Sequence, residues 1–212
     1  MLIERPPKWF RWLFPGAVFR LPAPKGGRKR VFITFDDGPI PEATPWVLDT
    51  LDRFGIKATF FMVGQNVERH PELLQEVRRR GHGVGNHTLH HIQGASATTL
   101  RYMRDSAEGA RLTGSTLFRP PHGWLRPRQL MALKKHYTVI MYDLVTRDYS
   151  KHLTAEDVVE NVRRFTRDGS IIVFHDSLKS LPRIKDALPA ALQWLRDEGY
   201  EFEVLREEGL LP

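Results

Sequence analysis

Short apolar runs alternate with longer amphipathic runs along most of the chain. Runs such as 31–35 (VFITF) and 171–175 (IIVFH) have the length and the β-branched, aromatic character of buried strands. The amphipathic runs between them have the spacing of helices, and several end at a glycine. Seven strands are expected at 31–35, 58–63, 82–86, 117–119, 138–143, 171–175 and 201–205, and six helices at 45–54, 71–80, 98–112, 127–136, 155–168 and 184–198.

This strand–helix alternation predicts an α/β fold with a parallel sheet and crossover helices. A full barrel has eight such units, so seven predict a distorted, incomplete (β/α) barrel with about seven parallel strands. The barrel domain is expected to span residues 31–212.

Residues 1–30 form an aromatic and basic extension, which we expect to pack on the barrel. No apolar stretch there is long enough for a signal-peptide core or a membrane span, so a cytoplasmic and an envelope-associated location both stay open. Peripheral membrane contact through residues 1–24 is the less favoured alternative. The extension carries Trp9, Phe10, Trp12, Leu13, Phe14 and Phe19 among Lys8, Arg11 and Arg20.

Composition narrows the chemistry. The 212 residues include no cysteine, so thiolate catalysis and disulfides are excluded, and any metal must be held by His, Asp or Glu. The formal net charge is +7, but the basic residues fall mostly inside expected helices and form no known nucleic-acid motif. We therefore expect no nucleic-acid partner.

Polar residues cluster where the expected strands end. Asp36 and Asp37 follow the first strand, His87 and His91 follow the third, and His175 ends the sixth. In parallel α/β folds the carboxyl ends of the strands form the edge where active sites assemble. These side chains are therefore expected to converge on one site.

The pattern suits a metal site with a proton-handling neighbour. His87 and His91 are four residues apart, so in a helix both imidazoles would share one face and bind one ion together with Asp37. Two histidines and one carboxylate suit zinc, with cobalt, nickel or manganese as alternatives. Asp36 would handle a proton beside the metal, and His175 is interpreted as a general acid rather than a core histidine.

These residues resemble the motifs of the polysaccharide deacetylases, also called the NodB homology or carbohydrate esterase four family. The matches run in order along most of the chain. They comprise Thr34 to Gly38 (TFDDG), then His87, Thr88 and His91, then Arg119, Pro121 and Gly123 within FRPPHGW, and weaker fourth and fifth motifs around Asp148 and His175.

The resemblance implies a metal-dependent hydrolase on a (β/α) barrel. It would remove N-acetyl groups from an N-acetylglucosamine-containing oligo- or polysaccharide, and release acetate and a free amino sugar. The implied roles are Asp36 as general base, Asp37, His87 and His91 as metal ligands, His175 as general acid, Arg119 as the residue that orients Asp36, and the backbone N–H of His122 as an oxyanion donor. Pro121, Gly123, Trp124, Asp148 and Val173 complete the expected substrate and tuning residues.

Four positions depart from the family pattern. His122 stands where tyrosine is usual, Tyr149 where tryptophan is expected, and Val173 replaces leucine in the acetyl pocket. Val145 occupies the position of an expected aspartate, so Asp143 or Asp148 is the candidate partner for Arg119.

Two other functions are compatible with the same residues. The site could hydrolyse an O-acetyl ester or a non-sugar amide, because fold and metal do not fix the substrate. A non-catalytic sugar-binding relative is the second alternative, and acetate release from N-acetylglucosamine oligomers separates it from an enzyme.

Overall fold

A curled parallel sheet forms the centre of the protein. The computed structural model describes residues 4–206, and in it the main strands follow the order β5-β4-β3-β2-β1-β7-β6, with β8 pairing with the start of β1. Every ladder between these strands is parallel, so the predicted incomplete (β/α) barrel is confirmed. The strands are β1 (Arg30–Asp36), β2 (Thr59–Met62), β3 (Gly83–Asn86), β4 (Leu117–Phe118), β5 (Thr138–Val139), β6 (Leu144–Val145), β7 (Ser170–His175) and β8 (Glu201–Phe202).

Helices cover the outside of the sheet. Among the described residues, none of them combines the length and the apolar character that crossing a bilayer requires. The helices are α1 (Lys8–Trp12), α2 (Thr44–Arg53), α3 (Gly64–Arg69), α4 (Pro71–Arg79), α5 (Thr99–Thr113), α6 (Pro127–Leu133), α7 (Ala155–Phe165) and α8 (Leu181–Asp197), with a 3₁₀ turn at Pro121–Gly123.

The largest core cluster lies between the central strands and the outer helices. The rings of Phe35 and Phe60 stack with centroids 5.0 Å apart, and Phe35 stacks on Phe174 at 6.0 Å. All three side chains are buried, which joins β1 to its neighbours β2 and β7. This packing holds the carboxyl ends of the central strands at fixed positions.

Local sequence signals explain some helix starts. Thr154 and Asp157 form a capping box at the start of α7. Thr44 is the first residue of α2, and its hydroxyl donates to Asp176 Oδ2 at 2.6 Å. The hydroxyl of Thr44 therefore binds the buried side chain of Asp176 and does not cap the helix.

The N-terminal segment lies along the open side of the sheet, between β5 and β6. Val18 donates its N–H to the Val139 carbonyl at 2.8 Å and accepts from Met141 N–H at 2.7 Å. Further along, Val145 N–H donates to the Glu4 carbonyl at 2.8 Å. Backbone groups that an incomplete barrel would leave unpaired thus find partners in the segment preceding β1.

The expected and observed elements differ mainly at the barrel's open side. The run 138–143 was expected as one strand, but only Thr138–Val139 forms one, and Ile140 makes an isolated bridge to Val18 of the N-terminal segment. Leu144–Val145, which was not expected, forms β6 against β7. The two short helices α1 and α3 were also missed.

Candidate active site

Two adjacent carboxylates end β1 and point in different directions. Asp36 is buried, and Asp37 is partly exposed with φ of 83°. A left-handed backbone is costly for a residue other than glycine and is typical of functional sites. This conformation separates the two neighbouring carboxylates, so that each has its own set of partners.

The two histidines after β3 lie in an irregular turn. The helix considered for this segment was wrong, because Thr88 and His91 have φ values of 65° and 54°. Asn86 shapes the turn, with Oδ1 accepting from Thr88 N–H at 2.9 Å and Nδ2 donating to the Ser106 carbonyl at 2.7 Å. The turn brings His87 and His91 together by a different route from a helical face, with ring centroids 5.1 Å apart.

Asp37, His87 and His91 meet at one point. One ligand atom from each lies within 4.8 Å of the others; Asp37 Oδ1 is 3.2 Å from His91 Nε2 and 3.9 Å from His87 Nε2. Burial opposes ionisation of Asp37, but the hydrogen bond from His91 and the nearby histidine charges lower its pKa overall. This donor set is compact enough to hold one metal ion.

The tautomer of His87 also fits a metal ligand. Its Nδ1 lies 2.8 Å from the Arg119 carbonyl oxygen, and a carbonyl can only accept, so Nδ1 carries the proton. Nε2 then presents its lone pair toward Asp37, as in metal-binding histidines whose other nitrogen is hydrogen-bonded to a carbonyl. Burial lowers the pKa of His87 to about 4, which keeps the ring neutral at pH 7.

Asp36 is held by a buried arginine. Arg119 Nη1 donates to Asp36 Oδ1 and to Thr34 Oγ1, both at 2.7 Å, and Nη2 donates to the Met141 carbonyl at 3.1 Å. Neither Asp143 nor Asp148 replaces the expected aspartate as the partner of Arg119. Asp143 pairs with Arg11 and Arg167, and Asp148 pairs with His175. Among residues 4–206, the Nε of Arg119 has no hydrogen-bond partner.

His175 forms the opposite wall, and the fully buried Asp148 lies behind it. His175 Nδ1 lies 2.7 Å from Asp148 Oδ1, and His175 N–H donates to Asp148 Oδ2 at 2.7 Å. Burial lowers the pKa of His175, but the charge and the hydrogen bond of Asp148 outweigh it and raise the pKa to about 9. The ring therefore carries a proton at pH 7.

These groups surround one cavity of about 220 Å³. Its apolar side consists of Tyr142, Val145 and Val173, which form a small cluster of their own. Pro121, Trp124 and Asp148 were expected at the site but do not line the cavity in the described part of the chain. The lining is Asp36, Asp37, His87, His91, Arg119, Pro120, His122, Gly123, Tyr142, Val145, Tyr149, Val173, His175 and Lys179.

The 3₁₀ turn places His122 beside the cluster of Asp37, His87 and His91. Its φ is 60°, and its ring lies 4.8 Å from that of His91. Trp124, two residues later, turns away and contacts Phe10 and Phe14 of the N-terminal segment. Tyr142 and Lys179 were missed, because a tyrosine inside an apolar run and a lysine in a loop carry no motif signal.

Asp176 supports the turn that carries Asp37. It is fully buried, and its Oδ1 accepts from Gly38 N–H at 3.1 Å while its Oδ2 accepts from Thr44. A Cβ at Gly38 would lie 2.0 Å from Asp176 Oδ2, so only glycine fits there. Burial raises the pKa of Asp176 to about 8.

Comparisons with known proteins agree with this geometry. The family model described as "Polysaccharide deacetylase" matches residues 23–139. A peptidoglycan-N-acetylglucosamine deacetylase of Bacillus cereus is 33% identical over 187 residues, which cover 84% of this chain and 87% of the relative. The peptidoglycan-N-acetylglucosamine deacetylase PgdA of Listeria monocytogenes is 34% identical over 84% of this chain, but that match spans only 38% of PgdA.

A solved structure shares the whole architecture. The Bc1960 peptidoglycan N-acetylglucosamine deacetylase, solved with a bound hydroxamate-type benzamide, superposes with a TM-score of 0.82 at 30% identity. The match covers 93% of each chain. The chain therefore belongs to the polysaccharide deacetylase family, and it is an enzyme of the class that hydrolyses carbon–nitrogen bonds other than peptide bonds.

Proposed function

We propose that this protein is a metal-dependent hydrolase that removes N-acetyl groups from N-acetylglucosamine units of an oligo- or polysaccharide. The observation that carries the proposal is the arrangement around one cavity of a His–His–Asp cluster, a separate carboxylate and an acid-paired histidine. The relatives named as peptidoglycan deacetylases support a cell-wall glycan as the substrate. Acetate and a free amino sugar are the products.

Asp37, His87 and His91 would hold one divalent ion. The ligand types suit zinc, with cobalt, nickel or manganese as alternatives. When bound, such an ion polarises a carbonyl and lowers the pKa of coordinated water, which supplies a nucleophile at neutral pH. The depressed pKa of Asp37 and the neutral His87 keep these ligands in their metal-binding protonation states.

Asp36 acts as the general base. Arg119 holds its Oδ1, and Asp36 lines the cavity. A carboxylate fixed in this way can take the proton from the attacking water without reorienting. Arg119 is a positioning residue in this scheme, and its remaining donors hold it to Thr34 and Met141.

The acetyl group fits the apolar side of the cavity. Val145 and Val173 are both buried and pack with Tyr142, so a methyl group placed there leaves water. Val145 replaces a charged residue of the family pattern, which makes this wall more apolar. The backbone N–H of His122 serves as a donor to the developing oxyanion, a contribution of about 3–4 kcal/mol in comparable sites.

His175 acts as the general acid. Asp148 raises its pKa to about 9, so the ring is protonated at pH 7 and can donate to the departing nitrogen. Asp148 occupies both Nδ1 and the backbone N–H, which leaves Nε2 for the substrate. Without this proton the amine would leave as an anion, which is far less favourable.

The test is acetate release from N-acetylglucosamine oligomers of increasing length. Activity should disappear after chelation and return with a single added divalent metal. An O-acetylated sugar of the same length serves as the matched ester substrate. Ester hydrolysis with no acetate from the amide would contradict the N-deacetylase assignment while leaving the metal site intact.

A further inference from the structure

A second groove, on the N-terminal segment, has no part in the deacetylation site. It encloses about 680 Å³ and is lined by two prolines, two aromatic rings and five basic side chains. It shares no lining residue with the active-site cavity. The lining is Arg5, Pro6, Pro7, Lys8, Arg11, Trp12, Arg20, Phe165 and Arg167.

The positive charge of this groove is only partly neutralised. Asp143, fully buried beneath it, pairs with both Arg11 and Arg167. Asp168 accepts from the backbone N–H groups of Ala23 and Arg30, and its carbonyl accepts from Arg20. The groove thus holds more cations than its carboxylates can balance.

Two of the cations are unengaged. Across residues 4–206, no hydrogen bond or ion pair involves the side chain of Arg5 or of Lys8. Burial is the largest cause that lowers the pKa of Arg5; repulsion from Arg167, Arg11 and Arg20 adds to it, and the charge of Asp143 opposes it. An anion in the groove would relieve that repulsion.

Large apolar side chains stand exposed at the same place. Trp12, which lines the groove, is 80% exposed, and its neighbours Trp9 and Leu13 are 57% and 44% exposed. In the same segment, Phe14 and Phe19 are buried, so the segment divides into an inward and an outward apolar face. Packing on the barrel therefore accounts for Phe14 and Phe19 but leaves Trp9 and Trp12 largely in water.

We propose that this groove and its exposed tryptophans form a peripheral docking surface for an anionic phospholipid membrane. Unpaired arginine and lysine side chains suit phosphate headgroups, and tryptophan favours the boundary between headgroups and acyl chains. A soluble polyanion such as nucleic acid would use the cations but would leave Trp12 and Leu13 in water. The combination of charge and exposed apolar area therefore favours a bilayer.

The test is co-sedimentation of the full chain with vesicles. Vesicles with equal phosphatidylglycerol and phosphatidylcholine should bind the protein, and vesicles of phosphatidylcholine alone should not. The double variant Arg5→Gln/Lys8→Gln should bind about 25-fold more weakly at low salt, at about fivefold per charge. Its matched control, Arg69→Gln/Lys185→Gln, removes two exposed cations elsewhere and should bind like the wild type.

The apolar part is tested separately. Trp12→Ser should weaken vesicle binding by about tenfold, as expected for one large apolar side chain that no longer leaves water. Leu100→Ser removes another exposed apolar residue, on α5, and should leave vesicle binding unchanged. Acetate release from soluble oligomers should be unchanged in all four variants, which shows that they fold.

Three results would overturn the proposal. Equal binding of the wild type to both vesicle types is one, and wild-type binding by Arg5→Gln/Lys8→Gln is another. The third is a result that indicates a surface for soluble polyanions. In that case Arg5→Gln/Lys8→Gln loses binding to duplex DNA, and Trp12→Ser binds vesicles as well as the wild type does. None of these results bears on the deacetylase assignment.

Discussion

The two walls of the active site each contain a histidine, His87 buried and His175 partly buried, and the two rings are in opposite protonation states. His87, after β3, has a neutral carbonyl as its nearest partner, and burial lowers its pKa to about 4. His175, at the end of β7, has the carboxylate of Asp148, and its pKa is raised to about 9. Burial lowers the pKa of both rings, so the partner decides the outcome.

This difference teaches how one residue type can serve two roles in a single cavity. A neutral imidazole has a lone pair for a metal, whereas a protonated one has a proton to donate. Asp36 and Asp37 divide in the same way, because Arg119 holds one while the histidines hold the other. The proposed roles of acid, base and metal ligand thus follow from the groups that hydrogen-bond to each side chain, and not from the residue type alone.

The largest effect is expected from Asp36→Asn, which removes the proposed base between the two walls. Turnover should fall by about a thousandfold or more, because the amide cannot accept the proton of water. Metal content should stay at the wild-type level, since Asp36 is not in the ligand cluster. Activity within tenfold of the wild type would refute the base assignment.

Alanine substitutions should distinguish the histidines that hold the metal from the histidine that donates a proton. His87→Ala and His91→Ala should lose most bound metal, measured by elemental analysis after gel filtration. His175→Ala should keep its metal but lose about a hundredfold or more in kcat, the range of general acid catalysis. Full metal occupancy in both ligand variants would rule out this site.

Asp148→Asn tests why the second histidine is protonated. Without the carboxylate, burial should dominate and the pKa of His175 should fall from about 9 toward values below 7. The alkaline limb of the kcat/KM profile should therefore move to lower pH by one unit or more, with kcat at pH 7 reduced by about tenfold. An unchanged alkaline limb would mean that another group supplies the proton.

A third histidine gives the smallest effect. His82 is buried, accepts from Ala58 N–H at 3.1 Å, and has a pKa lowered to about 4 by burial. Between pH 6.5 and 4 the unfolded chain binds this proton and the folded chain does not, so falling pH destabilises the fold. In His82→Gln the side-chain carbonyl can also accept this hydrogen bond. Between pH 7 and 4.5 the Tm of this variant should fall less than that of the wild type, by about 2–4 °C for each kcal/mol of unfolding free energy that it retains. A parallel loss of Tm in both proteins would remove His82 as the cause.

The fold and the site were predictable where the chain carries strong local patterns. The run 31–35 and the carboxylates after it define a buried strand and its functional end, and 171–175 does the same for His175. The convergence of these ends follows from parallel topology alone. The site residues Asp36, Asp37, His87, His91, Arg119, His122, Gly123, Val173 and His175 do line one cavity.

Features that depend on long-range partners were not predictable. The four-residue spacing of His87 and His91 is compatible with a helix. The turn that forms instead is stabilised by a hydrogen bond from Asn86 to Ser106, twenty residues away, which local spacing does not reveal. Short strands such as β6 exist because a neighbouring strand pairs with them, not because of their own residues. The division of the chain at residue 30 remains a prediction.

The most direct test of the proposed metal site is one titration of the chelated protein with zinc, followed by acetate release from an N-acetylglucosamine oligomer. Activity should rise in proportion to bound zinc and reach its maximum at one ion per chain. His87→Ala should show no such rise. Full acetate release from the metal-free protein, or a His87→Ala variant activated like the wild type, would contradict the proposed metal site.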